Sequence, residues 1–186
     1  VRKPAFAGSF YPGNSFELKK TVQRYISAHQ SLSHPPFAII APHAGYIYSG
    51  NVAGCAYASI AAGRKSIQRV ILLGPSHRLS FNGLALPADY AFETPLGLVS
   101  LDFDAMRLLE PFPFVKTNEE AHAEEHSLEV QLPFLQLSLD DFRLVPLAVG
   151  DASAEQICTV IEKLTEGMPG ESVLVVVSSD MSHYLE

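Results

Sequence analysis

At 186 residues the chain has room for one domain with a substantial core, and a hydrophobic content of 47% excludes a disordered polymer. A formal charge of −7 without a Lys/Arg cluster leaves no electrostatic footprint for nucleic acid or an anionic membrane, so both partner classes are set aside. No basic-then-apolar leader opens the sequence, and no apolar run nears the roughly 18 residues of a membrane span. A cytoplasmic setting is the expectation.

Val1 to Gly13 combines Pro4, Gly8, Pro12 and Gly13 with Phe6, Phe10 and Tyr11, which predicts an irregular arm laying aromatics against the body. Asn14 three residues before Glu17 marks a helix start, and Leu18, Val22, Tyr25 and Ile26 recur at helical spacing. Phe37 to Ala41 reads as a short strand stopped by Pro42, and Val52 to Ala62 as a helix closed by Gly63. Arg69 to Leu73 is the next apolar strand. Gly83 to Pro87 and Gly97 to Leu101 are expected to form a looser strand pair. Leu128 to Leu137 reads as a helix in which Pro133 must kink the axis or begin a new turn.

Phe142 to Val149 is a further strand. Ser153, with Gln156 three residues on, opens a helix whose face is Ile157, Val160, Ile161 and Leu164, and Ser172 to Val177 is the last strand. Continuous apolar strands separated by helices predict an α/β fold with a mainly parallel central sheet covered on both faces, and a single domain over residues 1–186. Cys55 and Cys158 stand in apolar, helical stretches and are expected to be buried free thiols.

Three strands end alike, with an apolar run, a turn-forming residue and then a histidine: IIAPH to His43, ILLGPSH to His77 and VVVSSDMSH to His183. Parallel strands share a carboxyl edge, and that edge is where open α/β sheets place ligands. His43 and His77 are separated by about one strand–helix–strand unit, which predicts neighbouring strands and facing imidazoles. Imidazole is both a common metal ligand and a proton carrier near neutral pH. Gly45 and Gly50 permit tight turns beside His43. Asp180, three residues before His183, is placed to orient that imidazole, to bind metal, or merely to cap a turn. In the acidic run Asn118 to Glu129, His126 precedes an apolar stretch and could reach the pocket, whereas His122 is expected at the surface, as are His29 and His34.

Seven segments in order resemble the MEMO family, including its microbial members called AmmeMemoRadiSam system protein B. They are AGSFYPG (Ala7 to Gly13), APHAGYIYSG (Ala41 to Gly50), LLGPSH (Leu72 to His77), TPLG (Thr94 to Gly97), EHSLEVQLPFLQ (Glu125 to Gln136), VPLAVG (Val145 to Gly150) and SSDMSHY (Ser178 to Tyr184). That family is similar in fold to the class III extradiol dioxygenases, which use Fe(II) held by two histidines and a carboxylate. The resemblance implies His43 and His77 as metal ligands, His183 as an acid/base histidine aided by Asp180, and His126 as a substrate contact. It also implies a third ligand beyond Glu186, a glutamate in the dioxygenases and a cysteine in vertebrate MEMO proteins; Cys55 and Cys158 do not stand at that position.

The expected function is therefore a metal-binding protein, with Fe(II) ahead of copper or zinc, carrying oxygenase-like or redox chemistry on a small molecule. The alternative is a non-enzymatic binding protein that uses the same pocket for a peptide or a partner, as vertebrate MEMO proteins are thought to do in motility signalling. A zinc hydrolase ranks last, because two histidines a whole βαβ unit apart match no hydrolase motif. The family name implies AMMECR-domain and radical-SAM partners, and an uncovered sheet edge invites self-association.

Overall fold

The computed structural model describes residues 1–181, and the elements below are those among them. In chain order they are helix α1 (Ser15–Ser27), strand β1 (Ala38–Ala41), helix α2 (Tyr46–Ser59), strands β2 (Arg69–Pro75), β3 (Leu84–Leu86), β4 (Ala91–Thr94) and β5 (Gly97–Ser100) and helix α3 (Phe103–Arg107). Strand β6 (Val115–Thr117), helices α4 (Glu120–Ala123), α5 (His126–Glu129) and α6 (Leu132–Ser138), strand β7 (Arg143–Val149), helix α7 (Ala154–Thr165) and strand β8 (Val173–Ser178) follow. The central sheet has six strands in the order β1-β8-β2-β7-β3-β6. The pairs β1–β8, β8–β2, β2–β7 and β3–β6 are parallel, and only β3–β7 is antiparallel.

The burial pattern explains the order. In β2 the successive residues Val70, Ile71, Leu72 and Leu73 are all buried, as are Leu174, Val175 and Val176 of β8. Consecutive residues of a strand point to opposite faces, so these central strands are covered on both sides and need continuous apolar sequence. Strand β1 lies at the edge and alternates, with Ile39 and Ala41 buried and Ile40 exposed.

Asn14 caps α1 by accepting from the amides of Phe16 and Glu17, and Ser153 and Gln156 form a full capping box on α7. Pro133 falls in the first turn of α6, where a missing N–H is harmless, so the apolar stretch is split into α5 and α6.

Several expectations are corrected. Residues 83–87 and 97–101 do not pair with each other: β5 forms a hairpin with β4, and β3 joins the main sheet. Helix α2 begins at Tyr46, not Val52, so Gly50 is a helical residue instead of a turn. Its lack of a side chain serves close packing, because a Cβ there would lie 2.4 Å from the Tyr25 ring, and one at Gly54 would lie 2.5 Å from the Tyr25 carbonyl oxygen. Cys55 and Cys158 are both exposed, on the outward faces of α2 and α7. The N-terminal arm does lay its aromatics inward, with Tyr11 buried and Phe6 and Phe10 packed against the core.

Candidate functional site

His43 and His77 each stand two residues beyond the end of a strand, β1 and β2 respectively. Those strands are not neighbours: β8 runs between them, and Asp180 stands two residues beyond its end. The expected adjacency of β1 and β2 is thus wrong, yet the imidazoles still approach, with ring centroids 5.1 Å apart and an interplanar angle of 76°. The intervening strand supplies a carboxylate at the same level. Asp180 Oδ1 accepts from the amides of His43 at 2.5 Å and Ala44 at 2.9 Å, and its Oδ2 lies 3.7 Å from His43 Nε2. Asp180 thereby fixes the turn after β1.

His126 opens α5 and completes the group. Its ring centroid lies 4.5 Å from that of His77, nearly stacked at 29°, and 5.4 Å from that of His43. Taking one ring nitrogen from each of His43, His77 and His126, all three lie within 4.8 Å of one another, a grouping that could hold a metal ion. Phe6 and Phe10 of the N-terminal arm pack edge-on or tilted against His126, at 5.5 and 4.7 Å. His183 lies outside the described residues.

Hydrogen bonds preset two tautomers. Ser178 has one hydroxyl proton, which goes to the Ser127 carbonyl at 2.6 Å, while its oxygen accepts from Gln131 Nε2 at 2.9 Å. The 3.0 Å contact between Ser178 Oγ and His43 Nδ1 must therefore carry its proton on the imidazole, leaving Nε2 with a free lone pair. Gln131 is held in turn by the Tyr57 hydroxyl, which donates to its Oε1 at 2.9 Å. His77 follows the same logic: Nδ1 donates to Glu125 Oε1 at 2.9 Å, so Nε2 is left to coordinate.

Glu125 is buried and also accepts from the amides of His77 at 2.6 Å and Ser127 at 2.8 Å. Burial pushes its carboxyl up, but those amides and the His77 imidazole outweigh it and hold the group below the usual carboxylate range. Burial lowers the pKa of His43 and of His126, against the opposing pull of Asp180 and Glu125 respectively, so both favour the neutral, ligand-competent form.

The acidic run is only partly solvated: Glu119, Glu120 and Glu124 are exposed, but other members of it are not. Glu125 and Glu129 are buried, and so is His122, which was expected at the surface. His122 Nε2 donates to the Ala85 carbonyl at 2.9 Å, its Nδ1 has no hydrogen-bond partner among the described residues, and burial pushes its pKa down to about 4. Because the unfolded chain takes up that proton near the ordinary value of about 6.5, unfolding gains a proton on acidification that the native state refuses. Stability should fall by about 3 kcal/mol as pH drops from 6.5 to 4 through this group alone. His122→Gln retains a donor for Ala85 and should flatten that part of the pH profile in urea titrations; an unchanged slope would show that His122 titrates normally.

The fold is thus a mostly parallel α/β sheet with a histidine cluster at its carboxyl edge that could hold a metal ion. Comparison with known sequences gives the family. A model described as Memo-like protein matches residues 2–186. MEMO1 family proteins of Aquifex aeolicus, Archaeoglobus fulgidus and Nitrosopumilus maritimus are 39%, 37% and 34% identical over the whole of this chain. The matches span 68%, 69% and 70% of those proteins' own lengths. The chain belongs to the Memo-like family. Among the described residues no helix is long and apolar enough to cross a membrane.

Of the site residues expected from sequence, His43, His77 and His126 come together, with Asp180 at their edge. Glu125, Ser178 and Gln131 were missed as orienting groups. For Glu125 a signal existed: it is the residue before His126 within the EHSLEVQ segment.

Proposed function

We propose that His43 and His77, with His126 beside them, bind a divalent metal, Fe(II) in preference to copper or zinc, and that the chain carries oxygenase-like chemistry on a small molecule. The observation that supports this most is the pair of Nε2 lone pairs freed by Ser178 and Glu125, since metal-bound histidines commonly donate their other N–H to such a partner. Imidazoles suit iron, zinc and copper alike, so the preference for iron rests on the resemblance to the dioxygenases. Bound Fe(II) would supply open positions for dioxygen and a chelating substrate.

The chain's own groups do the rest. Glu125 and Ser178 aim the two imidazoles, Phe6 and Phe10 exclude water from one side of His126, and neutral His126 can accept a proton from a bound group. Elemental analysis of anaerobically purified protein should find iron near one equivalent. His43→Ala and His77→Ala should each lower it at least about tenfold. Unchanged metal content in both variants sinks the assignment, and zinc at full occupancy would replace iron as the native metal.

A further inference from the structure

Arg78 directly follows His77 and lines a cavity of ≈ 430 Å³ together with His77, Phe81, Gly150 and Asp151. Its loop is pinned at both ends. The Ser76 amide donates to the Val149 carbonyl at 2.9 Å, and the Ser76 hydroxyl donates to the Leu79 carbonyl at 2.7 Å. Arg78 is exposed and, like Arg24 and Arg143, forms no ion pair with a carboxylate among the described residues, Asp151 included, whereas Arg2, Arg64, Arg69 and Arg107 each have one; of the three unpaired arginines only Arg78 lines a cavity with a histidine of the cluster. In a chain with 20 Asp and Glu against 13 Lys and Arg, this guanidinium has no ion-pair partner among the described residues and shares its cavity with His77.

We infer that Arg78 is a specificity-determining residue that takes the carboxylate of a small acid whose other end reaches the His43–His77 cluster. The inference rests on the metal reading above. A planar guanidinium matches a carboxylate with two parallel N–H···O bonds, and its position next to a ligand residue sets how far that carboxylate can stand from the metal. The cavity is of small-molecule size, in keeping with a metabolite and not a folded partner.

Two hydroxamates test this, since they share one chelating group and differ in a distal carboxylate: acetohydroxamate and succinic monohydroxamate. Titrated into the Fe(II)-loaded chain without oxygen, the succinic compound should bind about tenfold tighter, the scale of a charge-assisted hydrogen bond. Arg78→Gln should erase that preference and leave acetohydroxamate affinity unchanged, while Arg78→Lys should keep part of it. Equal weakening of both probes in Arg78→Gln overturns the inference, as does a wild type without preference. Acetohydroxamate alone reports the metal: its failure to bind overturns the metal reading and this inference with it, whereas binding without preference overturns this inference alone.

Discussion

Arg2→Ala is expected to lower the unfolding free energy by about 3–5 kcal/mol, the scale for removing one partner of a buried ion pair. Arg2 is 5% exposed and Glu129 fully buried, and Arg2 Nη1 lies 2.6 Å from Glu129 Oε2. The guanidinium also donates to the carbonyls of His122 at 2.5 Å and Glu125 at 3.0 Å. Glu129 further accepts from the amides of Ala5 and Phe6, both at 2.9 Å, and from the Tyr11 hydroxyl at 2.6 Å. One carboxylate thus gathers four donors from the first eleven residues and holds the arm on the body.

Without Arg2, the Glu129 charge remains buried with only neutral donors, and the carbonyls of His122 and Glu125 lose their partner. Urea denaturation of Arg2→Ala and Arg2→Lys measures the loss. Lysine restores the charge but not the three-way fork, so it should recover only part. The arm also carries Phe6 and Phe10 against His126, so loosening it should admit water to that side of the site. A midpoint within experimental error of the parent in Arg2→Ala would mean that the arm is not held through this pair.

The same residues show what the sequence could and could not reveal. Asn14 and Ser153 were legible as caps because capping is local: the acceptor and the amides it satisfies lie within three residues. The strand-end positions of His43 and His77 were legible because an apolar run and its stop are also local. The insertion of β8 between β1 and β2 was not, since strand order in a parallel sheet is set by crossovers that leave no mark on the strands themselves. Cys55 was misplaced because its helix is apolar nearly all round, and its outward face also exposes Ile47, Tyr48 and Val52. His122 was misread, and Glu125 and Glu129 were passed over, for one reason. A charge run reads as solvated unless its distant partners are known, and here those partners are Arg2, His77 and Ala85.

Glu125→Ala should weaken metal binding by about 10–100-fold, the range found when a partner orienting a metal-bound histidine is removed. Glu125 is the only carboxylate among the described residues that bonds the His77 ring, and it holds the His77 amide as well, so both the tautomer and the backbone of that histidine depend on it. Its loss also strands the Ser127 amide, which makes some loss of stability unavoidable. Glu125→Gln separates the two effects. Its amide oxygen can still accept from His77 Nδ1 and Ser127, but its NH2 group faces the His77 amide, where a second acceptor is required. Metal affinity should therefore fall less in Glu125→Gln than in Glu125→Ala, and Glu124→Ala, at an exposed neighbour, should leave it unchanged. Competition against a chelator of known affinity gives all three numbers. If Glu125→Ala folds and binds metal as tightly as the parent, His77 is not held by Glu125 and the preset Nε2 donor loses its physical basis.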